Sequence, residues 1–292
     1  MNPNGNEMEG NGEKGLLFVA DASVIFHMLA NKLGQYALPK DEEEAYLIAS
    51  FLWIQQLGFS PYYRNSGTPL IWALDSAPYW RKEIFPEYKA HRPRHSGAVD
   101  RAKSVFHSLD LPSLGVKAYE ADDIASLLVR MKLGQELVHI RRVKLLTTDS
   151  DWQGLCGPDV HFWECAGREP VIRHPEAIYD WLQGKHEKQT KKAKKLWSLP
   201  EGDRFRCNDI WQWKSAVGDR GDNLPQGSDI QLIDLFHPPR DFDLWRCRES
   251  RQMAIQVLEK SLEFSCQMPP SELRNSIVQL GMDVPLRYIE GS

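Results

Sequence analysis

Four acidic residues, Asp21, Asp75, Glu120 and Asp149, each stand directly after a short apolar run. The runs are Leu16 to Ala20, Leu70 to Leu74, Val116 to Tyr119 and Val143 to Thr148. Asp122, Asp123 and Asp151 follow close behind two of the four. Carboxylates brought together repel, and each is pushed toward its neutral form unless a cation neutralises the group. An oxygen-only set, with no His or Cys among these motifs, suits a hard divalent ion, Mg²⁺ or Mn²⁺, over Zn²⁺. Two such ions roughly 4 Å apart can activate a water, align it with a phosphodiester and stabilise the leaving oxygen. The chemistry expected is hydrolysis without a covalent intermediate.

An acid after a strand often caps the next helix, and capping accounts for any one of the four. It does not account for the set, because Ser, Thr or Asn would cap equally well and Asp122, Asp123 and Asp151 are left over. Asp149-Ser150-Asp151 also opens like a calcium-binding loop and continues to Gly154, but its twelfth position is Val160 and not a bidentate Glu. A Walker motif is absent, which leaves no basis for ATPase chemistry.

The elements that must position these acids alternate between strand and helix. The apolar runs are too short for helices and continuous enough for buried parallel strands. Helical spacing extends from Ser23 to Leu33, from Asp41 to Leu57, and from Ala121 to Leu133 with Asp122 and Asp123 in its first turn. Such alternation implies βα units in a mainly parallel sheet with right-handed crossovers. Ligands of such sheets sit outside the carboxyl ends of the strands, where these acids should converge. Val160 to Glu164 and Pro170 to Arg173 read as short edge strands, and Pro175 opens a helix to Gln183. Asn208 to Val217, Asp229 to Phe236, Phe242 to Phe264 and Pro270 to Leu280 read as helices of a C-terminal subdomain.

With 42% hydrophobic and 26% charged residues the 292-residue chain has the composition of a soluble globular protein, which argues against wholesale disorder. The net charge of -4 does not by itself point to nucleic acid, but the positive charge is segregated. Lys185, Lys188, Lys191, Lys192, Lys194 and Lys195 crowd one segment against Glu187 alone. Arg81, Lys82, Lys89, Arg92, Arg94, Arg101 and Lys103 crowd another against Glu83, Glu87 and Asp100. Five cysteines without a CxxC pair imply free thiols in a reducing compartment. Met1 to Lys14 lacks an apolar signal core, and no stretch has the length of a membrane span. The expectation is a cytoplasmic monomer with a disordered tail over 1–14.

Five segments carry a family resemblance: Val19-Ala20-Asp21-Ala22-Ser23, Tyr88-Lys89-Ala90-His91-Arg92, Tyr119-Glu120-Ala121-Asp122-Asp123, Thr148-Asp149-Ser150-Asp151 and Gly218-Asp219-Arg220-Gly221-Asp222-Asn223. In this order they resemble the 5′-nuclease family, which includes the 5′-nuclease domain of bacterial DNA polymerase I and stand-alone bacterial and phage flap endonucleases. The likeness extends over roughly Leu16 to Pro225, and five ordered motifs are far more specific than one.

The resemblance implies a first metal site drawing on Asp21, Asp75, Glu120, Asp122 and Asp123, and a second using Asp149, Asp151, Asp219 and Asp222. It makes the basic stretch a helical arch over 78–108, with Lys89 and Arg92 as catalytic clamps on the scissile phosphate. Arg81, Lys82 and Arg94 would meet DNA, as would Lys191, Lys192, Lys194 and Lys195 of a lysine-rich loop over 184–204. Tyr79, Trp80 and Tyr88 either stack on an unpaired base or pack in the core. The pattern departs from the family after Pro225. Gln226-Gly227-Ser228-Asp229-Ile230-Gln231-Leu232 lacks the Gly-x-Gly-x-Lys hairpin that grips duplex DNA and a monovalent ion such as K⁺.

The fold expected is α/β: a PIN-like, mainly parallel sheet over 15–183 flanked by helices, with a helical arch and a C-terminal helical subdomain over 205–292 carrying a degenerate helix-hairpin-helix. The function expected is a structure-dependent 5′-nuclease. It would act by a two-metal mechanism on DNA with 5′ ends, flaps or nicks, or on RNA-DNA hybrids, leaving 5′-phosphates in replication, repair or primer removal. The alternatives are a PIN-like ribonuclease and a catalytically silent DNA-binding relative.

Overall fold

Leu16–Asp21 is buried along its whole length, as expected of a strand with neighbours on both edges and helices on both faces, and it forms β1 at the centre of the sheet. The computed structural model describes residues 15–57, 68–91, 97–164, 171–173, 211, 218, 222–223 and 242–264. β2 (Leu70–Ala73) and β4 (Arg142–Thr147) pair with β1 in parallel. β3 (Ser113–Leu114) adds to β2 and β5 (Val160–Glu164) to β4, also in parallel, and β6 (Val171–Arg173) closes the far edge antiparallel to β5. The order is β3-β2-β1-β4-β5-β6. This is the mainly parallel α/β sheet that the alternation of elements implied.

Strand alternation sends two apolar sets to opposite faces. Leu16, Phe18, Ala20, Leu70, Trp72 and Leu146 pack with α1 (Ala22–Tyr36), α2 (Lys40–Leu57) and α4 (Gly97–Ser108). Leu17, Val19, Ile71, Ala73, Val143 and Leu145 pack with α5 (Ala121–Leu133). On the first face Phe26, Phe51, Trp72 and Phe106 meet edge to face, with ring centroids 5.1 to 5.9 Å apart.

Three expectations change. The third strand lies at Ser113–Leu114, not Val116 to Tyr119. Trp72 N–H donates to the Pro112 carbonyl and Leu74 N–H to that of Leu114. The chain from 116 to 119 instead exchanges hydrogen bonds with the loop after β2: Ala118 N–H to Ser76 O and Ser76 N–H to Tyr119 O, with Ala118 at φ 76°. Secondly, the second half of the arch region is a core helix. α4 buries Val99, Ala102 and Phe106 against α1 and α2, and α3 (Arg81–Ile84) is a single turn. Thirdly, Phe242 to Phe264 is a 3₁₀ turn (Leu244–Arg246) followed by α6 (Arg248–Phe264). α6 docks on the sheet, with Ala254 in the second core and the buried Ser261 hydroxyl donating to Leu70 O. The expected helices at Pro175 to Gln183, Asn208 to Val217, Asp229 to Phe236 and Pro270 to Leu280 lie outside the described residues, as do the 1–14 tail and the lysine-rich loop. Among the described residues no helix is long and apolar enough to cross a membrane.

Candidate metal centre and nucleic-acid interface

The acids reach the carboxyl edge of the sheet by the ends of strands and the starts of helices. Asp21 ends β1 and caps α1, accepting from Val24 N–H at 3.2 Å. Asp75 follows β2 and accepts from Ala121 N–H at 2.9 Å and from the Ser23 hydroxyl. Glu120 caps α5 in a capping box with Asp123, whose carboxylate accepts from Glu120 N–H at 2.9 Å. Asp149 caps the 3₁₀ turn Ser150–Leu155 by accepting from Asp151 N–H at 3.0 Å. Capping and convergence are therefore both true of these residues. Thr147, fully buried, ties two of them together. Its hydroxyl donates to Asp21 Oδ2 at 2.9 Å and accepts from Asp149 N–H at 3.0 Å.

The acids divide electrostatically into two groups. Arg81 is expected from its basic neighbourhood to face DNA, but it is only 5% exposed and forks onto Asp123 at 2.8 and 2.9 Å while reaching Glu120 at 2.8 Å. Trp80 donates its indole N–H to Asp123 at 3.1 Å and stacks on Phe242. Asp123 thus has its oxygens taken by an arginine, an indole and a backbone amide, which makes it a structural anchor for Arg81 and not an open ligand. Burial pushes the Glu120 carboxyl up, but Arg81 and Lys89 outweigh it and hold its pKa below the ordinary value.

In the second group burial and like charges dominate. Burial, then the charges of Asp75 and Asp149, raise the Asp21 pKa from 3.8 to about 7. Asp122 is pushed well above the usual carboxylate range by desolvation, then by Asp149 and Glu120. Asp122 accepts from the buried Trp152 indole at 2.6 Å. Among the described residues no group of three or more His, Cys, Asp or Glu side chains stands assembled around a single point. Each acid is turned toward a protein donor: Asp75 to Ser23 and Ala121, Asp122 to Trp152, Glu120 to Arg81. The donor set nevertheless fits a hard divalent cation, since Asp21 and Asp122 carry carboxyls raised by burial and then by like charges and offer oxygen alone.

The arch motif and the GDRGDN segment, far apart in sequence, meet here. Lys89 adopts φ 53° and its N–H donates to Asp222 O at 3.1 Å, while the Asn223 amide donates to Glu87 O at 3.1 Å. The Lys89 ammonium contacts Glu120 and lies 3.9 Å from Asp222. Tyr88, 3% exposed, is a core side chain and no stacking platform. Its hydroxyl donates to Glu120 at 2.8 Å and lies 3.3 Å from Asp222 Oδ2, and burial followed by the Glu120 charge keeps it protonated. Trp80 is likewise buried, whereas Tyr79 is half-buried with Lys89 above its ring. Asp222 therefore groups with Glu120 and Lys89, and Asp149 with Asp21 and Asp122. Lys82 is exposed and Asp151 buried beside Asp149. Arg92, Arg94, Asp219, Lys191, Lys192, Lys194 and Lys195 lie outside the described residues. The sequence reading missed Thr147 and Trp152, and left Tyr88 open between base stacking and core packing. Only Trp152, directly after the Asp149-Ser150-Asp151 motif, offered a signal.

A mainly parallel sheet gathering acids at its carboxyl edge, beside a lysine presented by a basic segment, defines an α/β protein of the PIN-like class. Residues 47–183 match the family model of the 5′-3′ exonuclease, N-terminal resolvase-like domain. Among solved structures, a T5 protein co-crystallised with metal ions aligns over 94% of this chain and 97% of its own, with 18% identity and a TM-score of 0.50. T5 5′-exonuclease with bound zinc aligns over 94% and 97%, with 19% identity and a TM-score of 0.47. The bacteriophage T5 flap endonuclease in a pseudo-enzyme-product complex with DNA and metal ions aligns over 94% and 96%, with 18% identity and a TM-score of 0.46. The two findings agree: the chain is similar to 5′-3′ exonucleases over residues 47–183 and shares the fold of the T5 protein.

Asp21 also makes stability depend on pH. A carboxyl whose pKa rises on folding binds its proton more tightly in the folded state, so its stabilising contribution is full below 3.8 and is lost as pH climbs through about 7. In excess chelator the melting temperature should fall across that window, and Asp21→Asn should flatten the fall. Equal slopes for parent and variant between pH 4 and 7 would show that Asp21 is not the strained group.

Proposed function

We propose that this protein is a divalent-metal-dependent 5′-nuclease that hydrolyses DNA at or near 5′ ends, flaps and nicks and leaves 5′-phosphates. The observation that carries the reading is the acid group of Asp21, Asp75, Asp122 and Asp149 at the carboxyl edge of the sheet, with Lys89 held beside it by Asp222. Asp21, Asp75, Asp122 and Asp149, with Asp151 and Asp219, would hold Mg²⁺ or Mn²⁺, with Glu120 and Asp222 on the Lys89 side. Bound ions would supply the positive charge that activates water and stabilises the leaving oxygen.

The chain's own residues do the rest. Arg81 neutralises Asp123 and part of Glu120, which keeps the floor of the site folded without occupying the group around Asp21. Lys89 and Arg92 meet the scissile phosphate and offset charge that develops on it. Lys82, Arg94 and the lysines at 191, 192, 194 and 195 contribute phosphate contacts that are independent of sequence. Replication, repair or primer removal are the settings in which such a product is needed.

The test uses 5′-labelled flap, nicked and blunt duplexes in Mg²⁺, with the products sized. Short 5′-labelled products from the flap substrate are expected, and Lys89→Ala should slow single-turnover cleavage by about 10²-fold or more. A variant as fast as the parent would remove Lys89 from the mechanism, and an inert parent on all three substrates would overturn the proposal.

A further inference from the structure

We propose that Trp152 is a positioning residue for Asp122 and thereby couples it to the turn that bears Asp149 and Asp151. The inference rests on the metal-dependent reading above. Trp152 sits in the 3₁₀ turn that begins directly after Asp149 and includes Asp151, yet its side chain is 1% exposed and its indole N–H donates to Asp122 Oδ1 at 2.6 Å. Asp122 lies on a different element, in the first turn of α5. One rigid ring therefore bridges the turn bearing Asp149 and Asp151 to the helix bearing Asp122.

The turn is itself held in place. The Trp211 indole N–H donates to Asp151 O at 3.2 Å, and Trp211 lies so close over Gly154 that a Cβ there would stand 2.5 Å from its ring. Any residue larger than glycine at 154 would displace Trp211, so turn and ring are closely packed. Trp152 has two χ angles and only one donor, and that donor is spent on one carboxylate oxygen. The bond fixes the plane of the Asp122 carboxylate and commits Oδ1 to the indole. A donor behind a metal-binding carboxylate is the arrangement that orients a ligand and tunes its affinity.

The test compares the parent with Trp152→Phe, which keeps an aromatic ring and deletes the N–H. Mn²⁺ binding is measured by calorimetry on the whole chain, and melting is followed in chelator to confirm that the variant folds. The affinity should fall by about tenfold or more. A second measurement needs no Trp152 variant. Of the ten tryptophan indole N–H resonances, one should shift in step with Mg²⁺ occupancy in the parent, and the same one should move in Asp122→Asn without metal. A folded Trp152→Phe protein with the parent's Mn²⁺ affinity would overturn the inference and leave the nuclease reading standing. So would indole resonances that ignore both Mg²⁺ and Asp122→Asn. A parent that binds no Mn²⁺ would overturn both.

Discussion

Replacing Arg81 with Met should cost the fold about 3–5 kcal/mol, the range found when one partner of a buried ion pair is removed. Asp123 and Glu120 would be left as buried carboxylates, having lost contacts of 2.8 to 2.9 Å to the guanidinium. Urea unfolding measures the loss as a lower midpoint. Removing both partners, as Arg81→Met with Asp123→Leu, should recover much of it, because the penalty lies in the stranded charge and not in the missing attraction. A single variant within 1 kcal/mol of the parent would mean that the carboxylates find water or Lys89 instead.

The second large effect is on catalysis. Asp149→Asn should reduce cleavage by roughly 10³-fold while leaving the fold intact. Asn retains an oxygen that can accept from Asp151 N–H, so the cap of the 3₁₀ turn survives. The lost charge is one that raises both Asp21 and Asp122, so the variant should melt in chelator no lower than the parent. A variant that cleaves normally would take Asp149 out of the chemistry, and one that unfolds would make it a structural cap.

These expectations turn on what could and could not be read from the sequence. The strands β1, β2, β4 and β5 and the whole of α5 were legible, because β1 and β2 are unbroken apolar runs, β4 and β5 are rich in strand-forming residues, and α5 combines an acidic first turn with a helical stripe. β3 was not. Val116 to Tyr119 has strand-like residues, but its backbone groups are used by Ser76 across a loop, a long-range choice that no local pattern records. Glu120 reaches the site all the same, because it is fixed as the cap of α5.

The acids of the candidate site were legible as residue types and strand ends, but their pairing was not. Arg81 and Asp123 are 42 residues apart, and a run of basic residues looks the same whether its arginines face solvent or the core. Tyr88 and Trp80 fell to the same ambiguity. An aromatic beside lysines suits a stacked base equally well, and only burial shows that both serve as hydrogen-bond donors to acids.

The central claim is that the acid group around Asp21 works by holding divalent metal ions. The most direct measurement is single-turnover cleavage of a 5′-labelled flap substrate by one preparation, first in excess chelator and then with Mg²⁺ or Mn²⁺ restored. The account predicts no cleavage in chelator and full recovery on adding metal. Cleavage at the full rate in excess chelator would contradict it.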